Sequence, residues 1–532
     1  MRLIPSILNF TGFLTLICTI AHASGDRPNI LFLFADDWGQ HASIYAEVNG
    51  EGTVNDALET PHFDKLAKDG VLFKNSYVNA PSCTPCRSSL LSGQHFWRTE
   101  MGAVLQGAVW DVKIPTYPLL LEDSGYHIGH THKVWSPGTE RNAPYGAKRT
   151  AYNQGGGNFN NFSQFVTQQV ANEKSVAEAK EILMEQTRAS FRQFLKDRKP
   201  GEPFCYWFGP TNVHRKWIKG SGKALWGLDP DKLKGKMPPF LPDVHPVRED
   251  LNDYFGEVMG FDMAIGVFVE ELKRIGEYEN TLIAISGDHG APGFPHGKCN
   301  LYDFGSRVAL MLAGPGVKGG RVVDDFVSLP DLAPTFLEAG KVAIPDTMTG
   351  KSIWPVLRSS AEGMVDPSRT HVFIGRERHV RKARAGNLPY PQRAIRTKDY
   401  LLIINFKPDR YPLGDPYNLG TDKEPTVEEM EQNTFGTLPD EDAGPAKAWL
   451  VSNRNNPKWQ TYFNHAYGKR PQYELFKIAD DPHQMSNLAS DPEYREVLER
   501  LKKQLINELE STGDPRMVDG GSFFEEVDKL DN

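Results

Sequence analysis

Two short runs of almost unbroken apolar residues organise the chain. Asn29-Ile30-Leu31-Phe32-Leu33-Phe34 is followed almost at once by Asp36-Asp37, and Thr281-Leu282-Ile283-Ala284-Ile285-Ser286 by Gly287-Asp288-His289-Gly290. Hydrophobicity of this length without alternation predicts strands buried on both faces, as in a parallel sheet. Helix signals lie between them: Thr60-Pro61 as cap and first turn before Phe63, Leu66 and Ala67, with Gly70 as stop, and amphipathic stretches over 172–196 and 250–275. Strands alternating with helices predict a doubly wound α/β sheet, whose ligands bind beyond the carboxyl ends of the strands, where these acids fall. Residues 141–162, rich in Gly and Asn, read as a long surface loop.

From about residue 366 the pattern changes. His371-Val372-Phe373-Ile374 and Tyr400-Leu401-Leu402-Ile403-Ile404 read as strands separated by a basic, Pro-containing stretch, and 491–511 fits an amphipathic helix. We read 24–365 as an α/β unit and 366–532 as a smaller α+β unit with an antiparallel sheet. At the other end, Arg2, the apolar run Ile4–Ile20 and Ala21-His22-Ala23 form the pattern of a cleaved signal peptide over 1–23. An N-terminal anchor is the competing reading, but Pro5, Ser6, Asn9 and Thr11 interrupt a run already short of the ~20 residues a membrane span needs. The chain is therefore expected to be exported, to the periplasm or the medium, with no stable membrane insertion after cleavage.

Composition narrows the field further. With 24% charged and 39% hydrophobic residues in 532, the chain is an ordinary globular protein of roughly two to four domains. A net charge of −8 argues against nucleic acid as a partner and requires any anionic substrate to be met by a local basic pocket. Removal of 1–23 takes Cys18 and leaves Cys83, Cys86, Cys205 and Cys299, too few for a disulfide framework.

The densest chemistry is Cys83-Thr84-Pro85-Cys86-Arg87, followed by Ser88-Ser89-Leu90-Leu91-Ser92-Gly93. A Cys-x-x-Cys pair alone suggests a redox couple or half a zinc site, yet no second metal-type pair occurs. The segment resembles the signature of the sulfatase family, Cys-x-Pro-x-Arg followed by Leu, Ser or Thr, and Gly, with Cys86 in place of the usual small Ser or Ala. The resemblance implies that Cys83 is converted to formylglycine by a formylglycine-generating enzyme. The aldehyde hydrate would attack sulfur with one hydroxyl and expel sulfate with the other, which a serine ester could not do. Arg87, one helical turn on, would balance the developing negative charge.

Asp36, Asp37, Asp288 and His289 make a donor set suited to a hard cation, although strand-end acids are also common turn and cap formers. In sulfatases the matching pairs hold calcium, so the resemblance implies one Ca2+ here. Lys133, His214 and Lys298 are the candidate sulfate clamp and leaving-group acid, because a sulfate ester presents several oxygens to neutralise and an alkoxide to protonate. Lys133 follows Gly125-Tyr126-His127-Ile128-Gly129 as the family's first active-site Lys does, while the family's His two residues later is Trp135 here, with His132 as a neighbouring substitute. His214 lies in Phe208-Gly209-Pro210-Thr211-Asn212-Val213-His214-Arg215, similar to the family's Pro-His segment, and Lys298 in His296-Gly297-Lys298-Cys299-Asn300. His296 itself reads as structural or exposed.

The similarity covers nearly the whole chain after residue 23, including Ser328-Leu329-Pro330-Asp331, Gly350-Lys351-Ser352 and Tyr473-Glu474-Leu475-Phe476. Tyr390–Lys407 and the C-terminal segment look most like the heparan N-sulfatase (sulfamidase) branch. The resemblance implies an alkaline-phosphatase-like fold, a large mostly parallel sheet flanked by helices, and a sulfuric ester hydrolase acting on a sulfated sugar or oligosaccharide. Arg376-Glu377-Arg378-His379 is a candidate grip for that sugar through bidentate Arg contacts, weighed evenly against a solvated charged loop. Two further readings are a phosphonate monoester or phosphodiester hydrolase built on the same nucleophile, and a non-catalytic sugar-binding relative.

Overall fold

A computed structural model of the chain describes residues 27–50, 52–139, 144, 145 and 147–526. The expected signal peptide at 1–23 and part of the 141–162 loop lie outside the described residues. Seven strands form the large sheet: β1 (Asn29–Ala35), β2 (Val71–Tyr77), β3 (His127–His132), β4 (Phe204–Gly209), β5 (Thr281–Gly287), β6 (Leu310–Ala313) and β7 (Arg321–Ser328). Their order is β3-β4-β1-β5-β6-β2-β7, and every neighbouring pair is parallel except those made by β6, which runs antiparallel to both β5 and β2.

The unbroken apolar runs are central strands because both faces of the sheet are covered. Leu31, Leu33 and Ala35 of β1 point into one core with Leu183, Phe191 and Phe194 of the helix Val176–Asp197 and Leu251, Phe261 and Phe268 of the helix His245–Arg274. Ile30, Phe32 and Phe34 point the other way, into a core with Cys86, Leu90 and Leu91 of the helix Cys83–Ser92 and Phe336 of the helix Leu332–Ala339. The period of two that a strand imposes thus divides one run between two cores. The stretch expected as one helix over 172–196 starts at Val176, where Ser175 and Glu178 form a reciprocal capping box that fixes its first turn.

A second sheet, order β11-β10-β9-β8, is antiparallel throughout and is made of β8 (His371–Arg376), β9 (Gln392–Thr397), β10 (Tyr400–Asn405) and β11 (Tyr473–Lys477). Leu498, Leu501, Leu505 and Leu509 of the helix Arg495–Ser511 cover one face of it, packing on Ile395, Leu402 and Leu475. The other face, with Ile374, Ala394, Leu401 and Ile403, closes on Tyr77, Leu301 and Phe326 of the first unit.

Candidate active site

The ends of β1 and β5 build the floor of the site. Asp37 takes a left-handed backbone conformation (φ 56°), and its amide donates to Asp288 Oδ1 at 2.7 Å while its carbonyl accepts from the Tyr254 hydroxyl at 3.1 Å. Gly287 allows this closeness, since a Cβ there would stand 2.0 Å from the Trp38 carbonyl oxygen. Asp36, Asp37, Asp288 and His289 are all buried.

Cys83 is the first residue of its helix, and Pro85 sits in the first turn, where a missing N–H costs no helical hydrogen bond. Cys83 Sγ lies 3.3 Å from His289 Nε2 and 3.8 Å from Asp37 Oδ1. Arg87 is fully buried four residues on. Its Nε donates to Asp288 (2.9 Å), one terminal nitrogen to Asp36 (3.0 Å), and the other to the carbonyls of Lys133 and Val134 (3.2 Å each).

Three further cationic or imidazole groups converge on the same carboxylates. Lys133 Nζ is 2.8 Å from both oxygens of Asp36, and Lys298 Nζ is 3.1 Å from Asp37 Oδ2. His214 Nε2 approaches Asp37 Oδ2 to 3.8 Å, its Nδ1 contacts the Arg215 carbonyl, and its side chain is 32% exposed, the most open of the set. Burial opposes the charge on Asp36, but Lys133 and Arg87 outweigh it and hold its pKa well below the usual carboxylate range. Burial also opposes the charge on Lys298, but Asp37 and then Asp442 keep its pKa well above the ordinary lysine value. Burial and then the Asp36 carboxylate push the Cys83 thiol far up, and burial with Asp288 does the same to Cys86. A thiol redox couple depends on the opposite setting, one that stabilises thiolate.

The donor set fits a hard divalent cation. Among the described residues, ligand atoms of Asp37, Cys83 and His289, of Asp36, Asp37 and His214, and of Asp36, Cys83 and Asp288 lie within 4.8 Å of one another in each set. Three carboxylates with one imidazole supply the oxygen-rich, adaptable coordination that calcium takes.

The structure corrects one expectation. Arg376 donates to the carbonyls of Cys299 (2.8 Å) and Pro412 (2.9 Å) and to Asp440 (2.6 Å), while Glu377 is held by Arg393 (2.9 Å) and Arg516 (3.0 Å). Both side chains are buried rather than exposed as a sugar grip: Arg376 ties the second unit to Cys299 of the first, and Glu377 joins two arginines within the second. Arg378 donates to the Gln106 carbonyl at 2.9 Å. His379 reaches the site's edge, its Nδ1 2.8 Å from the hydroxyl of Ser82, the residue before Cys83.

Trp135 is part of the wall: its indole donates to Ser88 Oγ at 2.8 Å and packs edge-on against Trp110. His132 turns away to pack on Phe208 and pair with Asn160, and His296 stacks between Phe240 and Tyr302 with a 2.8 Å hydrogen bond to His465. Sequence reasoning missed Asp442, whose Oδ2 is 3.1 Å from Lys298 Nζ. It lies in Asp440-Glu441-Asp442-Ala443-Gly444-Pro445, which has the composition of an ordinary turn and sits 144 positions from its partner.

Known proteins resemble this chain along most of its length. The chain is 27% identical, over an alignment spanning 536 positions, to the N-sulphoglucosamine sulphohydrolase of Homo sapiens, covering 94% of this chain and 93% of that one. It is 25% identical to an ulvan-active sulfatase of Formosa agariphila, covering 92% and 76% respectively. A solved structure from the glycosaminoglycan metabolism locus of Bacteroides thetaiotaomicron shares the fold, with a TM-score of 0.63 at 18% identity over 95% of this chain and 100% of that one. A model for the C-terminal region of N-sulphoglucosamine sulphohydrolases matches residues 289–434. The sulfatase model matches residues 28–342, more than half of the sequence, and this chain belongs to the sulfatase family.

Proposed function

We propose that this sulfatase removes sulfate from a sulfated carbohydrate, with formylglycine made from Cys83 as nucleophile and one calcium ion held by Asp36, Asp37, Asp288 and His289. The observation that carries the reading is the position of Cys83 Sγ, 3.3 Å from His289 Nε2, in a cluster with buried Lys298 and Arg87 and half-buried Lys133. The relatives named for N-sulphoglucosamine and for ulvan support a sulfated sugar as substrate.

Formylglycine would supply a geminal diol, one hydroxyl to attack sulfur and the other to drive release of sulfate. Calcium would supply positive charge beside the reacting oxygens. The remaining tasks belong to the chain's own side chains. Lys133 and Lys298 stand on opposite carboxylates, Asp36 and Asp37, so a sulfate group between them meets an ammonium from each side. His214, the most open of these groups, is suited to give a proton from Nε2 to the departing sugar oxygen or nitrogen. Arg87 has all three of its nitrogens engaged by Asp36, Asp288 and two carbonyls, so it holds the carboxylates in place rather than contacting substrate.

We read 1–23 as a signal peptide, 24–365 and 366–532 as the two units, and a formylglycine-generating enzyme as the partner in maturation. Export to the periplasm or medium follows from that signal, and among the described residues no helix is long and apolar enough to cross a membrane. The test is the mass of the tryptic peptide containing Cys83 from protein made in its own host, paired with turnover of N- and O-sulfated sugars against an aryl phosphodiester. Aldehyde or hydrate mass together with sulfate release supports the reading. Unmodified thiol in active protein, or preferential phosphodiester cleavage, overturns it.

A further inference from the structure

A segment of the second unit, residues 440–445, reaches Lys298, and it is anchored without help from the carboxylate it presents there. Asp440 accepts from Arg376 at 2.6 Å, from Arg384 at 2.8 Å and from the Val380 amide at 2.9 Å. The Glu441 carbonyl accepts from Lys447 Nζ at 2.7 Å, and its carboxylate is met by the Tyr467 hydroxyl. Gly444 lies so close to the Arg215 guanidinium that a Cβ there would stand 2.4 Å from it. The segment is therefore fixed on both sides of Asp442, and the Asp442 carboxylate is left for another purpose.

That carboxylate faces Lys298. Its Oδ2 is buried and lies 3.1 Å from Lys298 Nζ, an ion pair outside regular hydrogen-bond geometry, and it meets no hydrogen-bond donor among the described residues. Lys298 also donates to Asp37 Oδ2 at 3.1 Å. An ammonium has three N–H donors arranged as a tripod. Asp37 takes one of them in a hydrogen bond, and the Asp442 charge at the same distance draws the ammonium toward a second carboxylate. With only Asp37 present, the flexible stem of Lys298 would let the ammonium settle onto that carboxylate, away from an incoming anion.

We infer that Asp442 is a positioning residue, which braces Lys298 from the second unit so that its ammonium is held off Asp37 and kept available to the sulfate group. This rests on the reading of Lys298 as part of the sulfate clamp. It also gives the second unit a direct part in the reaction, since Asp442 is carried between β10 and β11.

The experiment is a double-mutant cycle on formylglycine-bearing enzyme, measured with a sulfated substrate that the wild type turns over and with inorganic sulfate as a competing product. D442N keeps the shape of the side chain and removes its charge, and its unfolding transition, followed by circular dichroism, checks the fold. The expected result is a kcat/KM lower by about tenfold or more, an inhibition constant for sulfate weaker by about tenfold, and an unfolding midpoint close to that of the wild type. Adding D442A to K298A should cost less than about twofold, because the brace has nothing left to hold. Multiplicative losses in K298A/D442A, or a sulfate inhibition constant unchanged in D442N, would overturn the assignment while leaving the sulfatase reading intact. Wild-type enzyme that carries formylglycine yet releases no sulfate from any substrate would instead overturn the reading and the brace together.

Discussion

Ala35 of β1 lies directly opposite Gly287 of β5, so the residues that follow these strands, Asp36-Asp37 and Asp288-His289, leave the sheet side by side. Their closeness is set by strand register and reinforced by the 2.7 Å hydrogen bond from the Asp37 amide to Asp288. Three carboxylates held together in this way repel one another unless cations intervene. Calcium at about a hundred times its dissociation constant should therefore stabilise the fold by about 2.7 kcal/mol, and a chelator should remove that gain. Calorimetry with calcium and with chelator reads it directly; D37N and H289A should lose most of the difference, and a wild-type melting curve indifferent to both additions would reject the cation site.

Arg87 carries the second prediction. It is fully buried and joins Asp36 to Asp288, so R87A leaves two carboxylates without their shared partner and should cost about 3–5 kcal/mol in the absence of calcium. R87K keeps the charge but not the fork that reaches both acids and two carbonyls at once, and should lose about a hundredfold or more in turnover. Denaturant unfolding and single-turnover assays on the two variants separate these effects. An R87K enzyme with near-normal turnover would show that the frame tolerates a single point charge.

Cys83 and Cys86 should behave differently although they share a motif. Cys86 packs with Leu90, Leu91 and Phe34 in the apolar core, so C86A should cost about 1–2 kcal/mol of stability and leave most activity. C83A should abolish turnover while changing stability little. Equal loss of activity in both variants would favour thiol chemistry over the proposed nucleophile.

How much of this was legible follows physical lines. β1 and β5 announce themselves because a strand covered on both faces has no polar positions to break its pattern, and the acids at their ends follow from where such strands stop. β3 reads His-Ile-Gly-His-Thr-His and β7 reads Arg-Val-Val-Asp-Asp-Phe-Val-Ser, with two adjacent acids, and their composition carries little signal without the neighbours that cover them. Site residues inside a recognisable motif, such as Cys83, Arg87 and Lys133, could be named in advance. Asp442 could not, because its significance lies wholly in a tertiary contact with Lys298. The same limit made Arg376 and Glu377 look like a ligand grip: their charges were visible, but the buried partners Asp440, Arg393 and Arg516 were not.

The helix His245–Arg274 yields a pH prediction. Three of its acids tie down surrounding segments through backbone amides: Asp253 accepts from Gly220 (2.8 Å) and Gly222 (2.7 Å), Glu257 from Ser163 (3.3 Å), and Asp262 from His62 (3.2 Å) and Phe63 (2.7 Å). Burial pushes each carboxyl up to about 7, well above its value in the unfolded chain. Between pH 4.5 and 7 the folded protein therefore holds protons that the unfolded chain has released, so stability from this source is greatest at the acidic end and falls as pH rises through about 7. Burial lowers His41, His130 and His132 to about 4, and these imidazoles act in the opposite sense below about pH 6.5, so the contribution of the acids is read as a difference: acidification from mildly alkaline to mildly acidic buffer should raise the thermal midpoint of the wild type by about 2 °C relative to that of E257Q. It should fall again in stronger acid, where Asp36, Asp303 and Asp440, held below the usual carboxylate range by neighbouring cations that outweigh burial, are forced to protonate. E257Q removes one of the three raised groups and should flatten the slope between the two regimes. Wild-type and E257Q midpoints that run parallel across the whole pH range would show that Glu257 stays ionised in the folded protein.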